Sequence, residues 1–189
     1  MASLNPPVCD FGWQAPDFNL PDFNLIFGDA IFVSRDLAMG KNGLLVMFIC
    51  NHCPYVKAIL PRLIADVAEL KMLGVNAVAI MSNDPTEYTE DSVENMQKIA
   101  HEMEFPFPYL LDANQQIAKD YGAVCTPDFF GLNNKGELQY RGRFDESRKE
   151  TAPHSTRDLF NAMKLIAETG LGPLLQIASI GCSIKWKEK

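Results

Sequence analysis

Basic charge is in short supply. Lys and Arg number 17 against 24 Asp and Glu, a formal net charge of −7, and no basic block stands anywhere in the chain. A broad nucleic-acid surface is therefore excluded as an expectation. No apolar run approaches the ~18 residues of a membrane-spanning helix. The opening Met1-Ala2-Ser3-Leu4-Asn5-Pro6-Pro7 lacks the basic and apolar regions of a secretory leader, so a cytoplasmic location is expected. Cysteine is sparse and odd in number, five in all, which argues against a disulfide-stapled secreted fold. Only one Cys-x-x-Cys occurs; Cys9, Cys125 and Cys182 are scattered, so the four ligands of a structural zinc site are not in view and no metal is expected. His101 and His154 have no visible partner and are given no role. Long-period repeats are missing too. The single direct repeat, Pro16–Leu20 followed by Pro21–Leu25, is five residues long and too short for a solenoid.

What is present is enough for a core. Apolar residues make up 47% of 189, which fits one domain: an irregular leader over 1–15, a core over 16–170 and a tail over 171–189. The chain is organised around Cys50-Asn51-His52-Cys53-Pro54. Leu44–Ile49 before it is apolar at every position, the pattern of a strand covered on both faces. Tyr55–Leu73 after it has helical spacing in Val56, Ile59, Leu60, Leu63, Ile64, Val67 and Leu70. Strand, Cys-x-x-Cys, helix is the context of a redox pair. A sulfur at a helix start meets unpaired N–H groups and the positive end of the helix dipole. Thiolates in such motifs have pKa values lowered to roughly 3.5–7.5. The expectation is that Cys50 is the more exposed and more acidic thiol and attacks, while Cys53 resolves.

Around this centre the sequence predicts a hairpin over 17–34, with the duplicated segment as an edge strand because of its prolines. Pro61 should kink the long helix, and Gly74 should end it. Val75–Met81 is a second buried strand. Glu90–Met103 reads as a half-exposed helix, Tyr109–Leu111 as a short strand and Asn114–Tyr121 as a short helix. Asp128–Leu132 and Glu137–Gly142 form a hairpin about Asn133-Asn134-Lys135-Gly136. Thr156–Thr169 is the last helix.

This order resembles the thioredoxin fold: an α/β domain with a central mixed sheet flanked by helices, an N-terminal β-hairpin and a C-terminal tail. More closely it resembles the peroxiredoxin-like (alkyl hydroperoxide reductase/thiol-specific antioxidant) branch, over roughly residues 14–170. The anchors are Cys50-x-x-Cys53 after a buried strand and Thr126-Pro127 before a hairpin. Phe48–Lys57 and Gly181–Trp186 are similar to a subgroup that keeps a thioredoxin-type Cys-x-x-Cys. The resemblance implies a cis Pro127 beside the disulfide, and a Thr126 backbone that pairs with substrate like an added strand. It implies no bound cofactor. Two departures stand out: the buried acid of thioredoxins falls at Leu44, and the tryptophan before the first cysteine is Ile49. His52 would favour the thiolate when protonated. Cys125 and Cys182 are candidate accessory redox thiols, Cys182 by a tail that folds back; a packed core cysteine is the plainer reading of each. Arg141 and Arg143 read as a solvated strand end.

Three functions follow. The first is a thiol–disulfide oxidoreductase acting on protein or small-molecule disulfides. The second is a thiol peroxidase with Cys53 as the peroxide-reactive thiol and Cys50 where that family has threonine. The third is a thioredoxin-fold binding module without catalysis.

Overall fold

The computed structural model describes residues 3–4, 6–7, 9–24, 31–152 and 154–187. Leu25 of the second repeat copy, and residues 29–30 of the expected second strand, lie outside the described residues. In chain order the elements are β1 (Ser3–Leu4), β2 (Asn19–Asp22), β3 (Ile31–Ser34), α1 (Arg35–Ala38), β4 (Gly43–Phe48), α2 (Pro54–Met72) and β5 (Val75–Met81). A single 3-10 turn, Thr89–Asp91, precedes α3 (Val93–Glu102). Then come β6 (Tyr109–Leu111), α4 (Gln116–Asp120), β7 (Cys125–Thr126), β8 (Asp128–Leu132), β9 (Leu138–Tyr140), α5 (Asp158–Thr169) and β10 (Gly181–Ser183).

A seven-stranded mixed sheet runs β3-β2-β6-β5-β4-β8-β9. β4 lies inside it, parallel to β5 and antiparallel to β8, and every one of its residues is buried. Successive strand side chains point to opposite faces. Leu45 and Met47 therefore join the core under α2, α3 and α5, while Leu44, Val46 and Phe48 join the core under α1, α4 and the N-terminal segment. That two-sided burial is why the sequence of β4 is apolar throughout.

α2 begins with Pro54 at its first position, where the missing N–H costs nothing, and continues through Pro61. Gly74 follows the helix with φ +77°, a conformation that favours glycine. The expected helix over 90–103 is interrupted at Ser92, whose side chain caps α3 and leaves Asp91 outside it.

Two readings need correction. The 17–34 hairpin is present as β2–β3, but β3, not the proline-bearing β2, is the edge. β2 meets its other neighbour, β6, only through Asp22↔Leu110 in register, so the side of Pro21 away from β3 stays free of ladder bonds. The leader is also partly structured: Gln14 bridges Glu137, and β1 joins a second sheet of order β1-β10-β7.

Candidate active site

β4 and α2 aim the Cys-x-x-Cys segment between them. The strand ends at Phe48, Ile49 keeps one more sheet bond to Ile80, and the chain turns through Cys50–Cys53 into the helix. Cys53 occupies the N-cap position of α2, without a side-chain capping bond, so its sulfur, not that of Cys50, stands at the helix start. Neither cysteine is open to solvent: Cys50 is 1% exposed and Cys53 0%.

The Thr126–Pro127 peptide is cis and lies against both sulfurs. Thr126 Oγ1 is 3.2 Å from Cys50 Sγ, and neutral Cys53 donates to the Thr126 carbonyl at 3.0 Å. That last contact favours the thiol form of Cys53. Against it stand the neighbouring Cys50 thiol, first, and then the nearby amides of Cys182 and Val56 and the thiol of Cys182. The balance, led by Cys50, pulls the Cys53 thiol down to about 5 despite its burial. Cys50 moves the other way, well above the ordinary thiol range, through burial first and then through Cys53 and the Asp91 carboxylate. The expectation of an exposed, acidic Cys50 is therefore corrected: both sulfurs are buried, and the acidity falls on Cys53. The helix start belongs to Cys53, and two negative sulfurs in one dry site repel each other.

Asp91 is the residue that sequence reasoning missed. It is fully buried and gathers four donors. Oδ1 accepts from the amides of Asn51 (2.8 Å) and His52 (3.1 Å), and Oδ2 from His52 Nδ1 (2.6 Å) and Asn83 Nδ2 (2.8 Å). Burial opposes its ionisation, but these donors, His52 first, hold its pKa below the ordinary carboxylate value. The His52 ring stacks on Tyr88 at 4.1 Å, and its Nδ1 is 3.6 Å from Cys50 Sγ. His52 thus faces Cys50 and is tied to a carboxylate, rather than facing the sulfur at the helix start. Tyr109 completes the wall by donating to Asn51 Oδ1 at 2.9 Å. The acid that Leu44 cannot supply enters from a different segment. Its only sequence cue was the vacancy at Leu44, which says nothing of where a replacement lies.

One sulfur, one ring nitrogen and one carboxylate oxygen of Cys50, His52 and Asp91 lie within 4.8 Å of one another. This is a possible three-donor set for a cation, but the 2.6 Å His52–Asp91 bond already spends two of the donors on each other.

The accessory cysteines separate. Cys182 is 1% exposed and sits on β10, directly opposite Thr126 in an antiparallel pair. Cys125 alternates to the other face of β7, where its thiol reaches the Pro127 carbonyl at 3.6 Å and burial pushes its pKa up. The Thr126 main chain, expected to be free for a substrate strand, is already paired by the tail. Arg141 is not solvated either: it is buried, 3.0 Å from Asp128 and over the Phe130 ring. Arg143 pairs with Asp158 at 2.6 Å. A cavity of about 280 Å³ opens beside the first turn of α2, lined by Tyr55, Ile59, Pro127, Phe144, Ser179 and Ile180 among others.

The AhpC/TSA family model matches residues 11–141. The chain belongs to the AhpC/TSA family. It is similar over its full length to an uncharacterized conserved protein of Geobacillus kaustophilus, with 39% identity, 98% of that chain covered and a TM-score of 0.91. A hypothetical protein of Sinorhizobium meliloti 1021 shows 34% identity over 98% of this chain and 99% of that one, with a TM-score of 0.90. The thioredoxin domain of a thiol-disulfide oxidoreductase from Bacteroides vulgatus shares the fold at 21% identity, covering 83% of this chain and 97% of that one, with a TM-score of 0.61. No curated protein matches the chain. The AhpC/TSA match supports a redox function, and the Bacteroides vulgatus domain shows the thioredoxin-like fold. Among the described residues, no helix is long and apolar enough to cross a membrane.

Proposed function

We propose that the protein is a dithiol–disulfide oxidoreductase in which Cys53 attacks and Cys50 resolves. The observation that carries this is the Cys53 sulfur at the start of α2, with its pKa pulled down chiefly by the neighbouring Cys50. The Cys53 thiolate attacks one sulfur of a substrate disulfide, breaking that bond and expelling one thiolate. Cys50 then attacks the Cys53 sulfur, releasing the second substrate half as a thiol and closing a Cys50–Cys53 disulfide. The Cys50 proton leaves with that departing half, since His52 Nδ1, 3.6 Å from the sulfur, already donates to Asp91. An external thiol returns the pair to the dithiol state.

A second reading, thiol peroxidase, is favoured by the covered edge at Thr126 and by the burial of both sulfurs, which suit a small oxidant. Cys53 would become a sulfenic acid, releasing water or alcohol, and Cys50 would condense with it, releasing water.

The test is to treat wild type, Cys50→Ser and Cys53→Ser with stoichiometric 5,5′-dithiobis(2-nitrobenzoate) or hydrogen peroxide and map products by mass. Exchange predicts fast thionitrobenzoate release that persists in Cys50→Ser and is lost in Cys53→Ser. Rapid peroxide consumption by Cys50→Ser, with slow disulfide exchange, would favour the peroxidase. An adduct formed on Cys50 of Cys53→Ser at the wild-type rate would reverse the roles.

A further inference from the structure

The C-terminal strand is fitted closely to the site. β10 pairs with β7 on one side and β1 on the other, with Cys182 opposite Thr126 and Ser3 opposite Cys182. Gly181 permits this approach: a Cβ there would lie 2.2 Å from the Thr126 carbonyl oxygen, a backbone atom that cannot swing aside. Residues directly opposite in an antiparallel pair carry their side chains on the same face. Thr126 turns Oγ1 to Cys50 and its carbonyl to Cys53, so Cys182 faces the motif as well. Cys53, Cys50 and Cys182 lie in one buried cluster. The tail thus occupies the edge a substrate strand would use, and it brings a cysteine with it.

We propose that Cys182 is a third redox thiol of the site, which resolves adducts of Cys53 in competition with Cys50 and latches the C-terminal strand by a Cys53–Cys182 disulfide. The proposal rests on Cys53 being the attacking sulfur. When Cys53 carries a mixed disulfide, Cys182 attacks the Cys53 sulfur. The bond from Cys53 to the substrate half breaks, the Cys53–Cys182 bond forms, and the Cys182 proton leaves with the departing thiol. No outside oxidant enters this step. In the reduced state Cys182 is held as a thiol, pushed up to about 12 by burial and by the neighbouring Cys53. Once Cys53 is in a disulfide its negative charge is gone, while Lys185 and Lys149 still favour the Cys182 thiolate. Cys182 is therefore released to react by the event that creates its substrate.

The experiment uses the full-length Cys50→Ser protein with stoichiometric 5,5′-dithiobis(2-nitrobenzoate), acid quenching, and tryptic mapping. Cys53 then falls in the peptide 42–57 and Cys182 in the peptide 165–185. The expected result is release of a second thionitrobenzoate per site, loss of the adduct mass and appearance of these two peptides joined. Adding Cys182→Ser should restore a stable adduct on Cys53. A lasting adduct on Cys53 in Cys50→Ser, with Cys182 still alkylatable, overturns the proposal and leaves Cys53 as nucleophile. Peptide 42–57 recovered with neither an adduct nor a link to peptide 165–185 overturns the nucleophile assignment and the proposal together. The measurement on Cys50→Ser stands even if the double variant folds poorly.

Discussion

At Cys53 the local and the tertiary contributions to acidity separate cleanly. The helix start acts on any residue placed there, but the largest single contribution comes from the neighbouring Cys50 thiol. Cys50→Val removes that donor while leaving the helix in place. The Cys53 pKa should rise from about 5 toward the free-thiol value, and its iodoacetamide alkylation rate at pH 6 should fall several-fold. An unchanged rate–pH profile would show that the donor contributes nothing. Asp91 gives a second test. Its carboxyl is held below the unfolded value, so the stability it contributes is present above about pH 4 and is lost as pH falls through its folded value. Asp91→Asn should cost about 2–3 kcal/mol at pH 7, where hydrogen bonds to a charged acceptor are lost. It should also flatten the decline in urea midpoint between pH 5 and pH 3. An equally steep acid decline in the variant would place the titrating group elsewhere.

Among the elements, β10 has the least intrinsic reason to exist. It is three residues long, and it persists because β1 and β7 flank it and because residue 181 has no side chain. Gly181→Ala should displace the strand from Thr126 and expose Cys53, raising the alkylation rate of Cys53 at pH 7. It should also lower the yield of the 42–57/165–185 linked peptide. A Gly181→Ala protein with wild-type alkylation kinetics would mean that the strand does not cover the thiolate. α2 and β4 behave differently. Their apolar faces are long enough to be specified locally, and α2 runs on through Pro61, held by the core into which Ile59, Leu60 and Leu63 are packed.

Over the whole molecule, polar groups in the interior hold the hairpin and loops to the sheet. Asp128 opens β8 fully buried, and Arg141 reaches it just after β9 while also donating to the Gly122 carbonyl. Burial, partly offset by Arg141, pushes the Asp128 carboxyl up to about 6. Arg141→Met would leave that carboxylate unpaired, at an expected cost of about 3–5 kcal/mol near pH 8. A carboxyl with a raised folded pKa loses stability as pH rises through that value. The cost of Arg141→Met should therefore be smaller at pH 5 than at pH 8, as read by paired urea titrations. A pH-independent cost would mean that the pair does not control the ionisation.

The sequence by itself determined what depends on neighbours along the chain. The unbroken apolar run of β4 requires cover on both faces, and the period of Val56, Ile59, Leu63 and Val67 makes the next segment a helix, so the Cys-x-x-Cys had to lie at that junction. The two hairpins were legible for the same reason, since turn residues and alternation are local signals. Only the tertiary structure decided which sulfur is acidic. That depends on the residue at which α2 starts and on groups brought in from Cys182, and a one-turn shift in the helix start exchanges the roles. Asp91 joins the site across 40 residues from Asn51, and sequence carries no distance between segments so far apart. The covered edge at Thr126 was hidden for the same reason: three residues at 181–183 become a strand because β1 and β7 lie on either side of them.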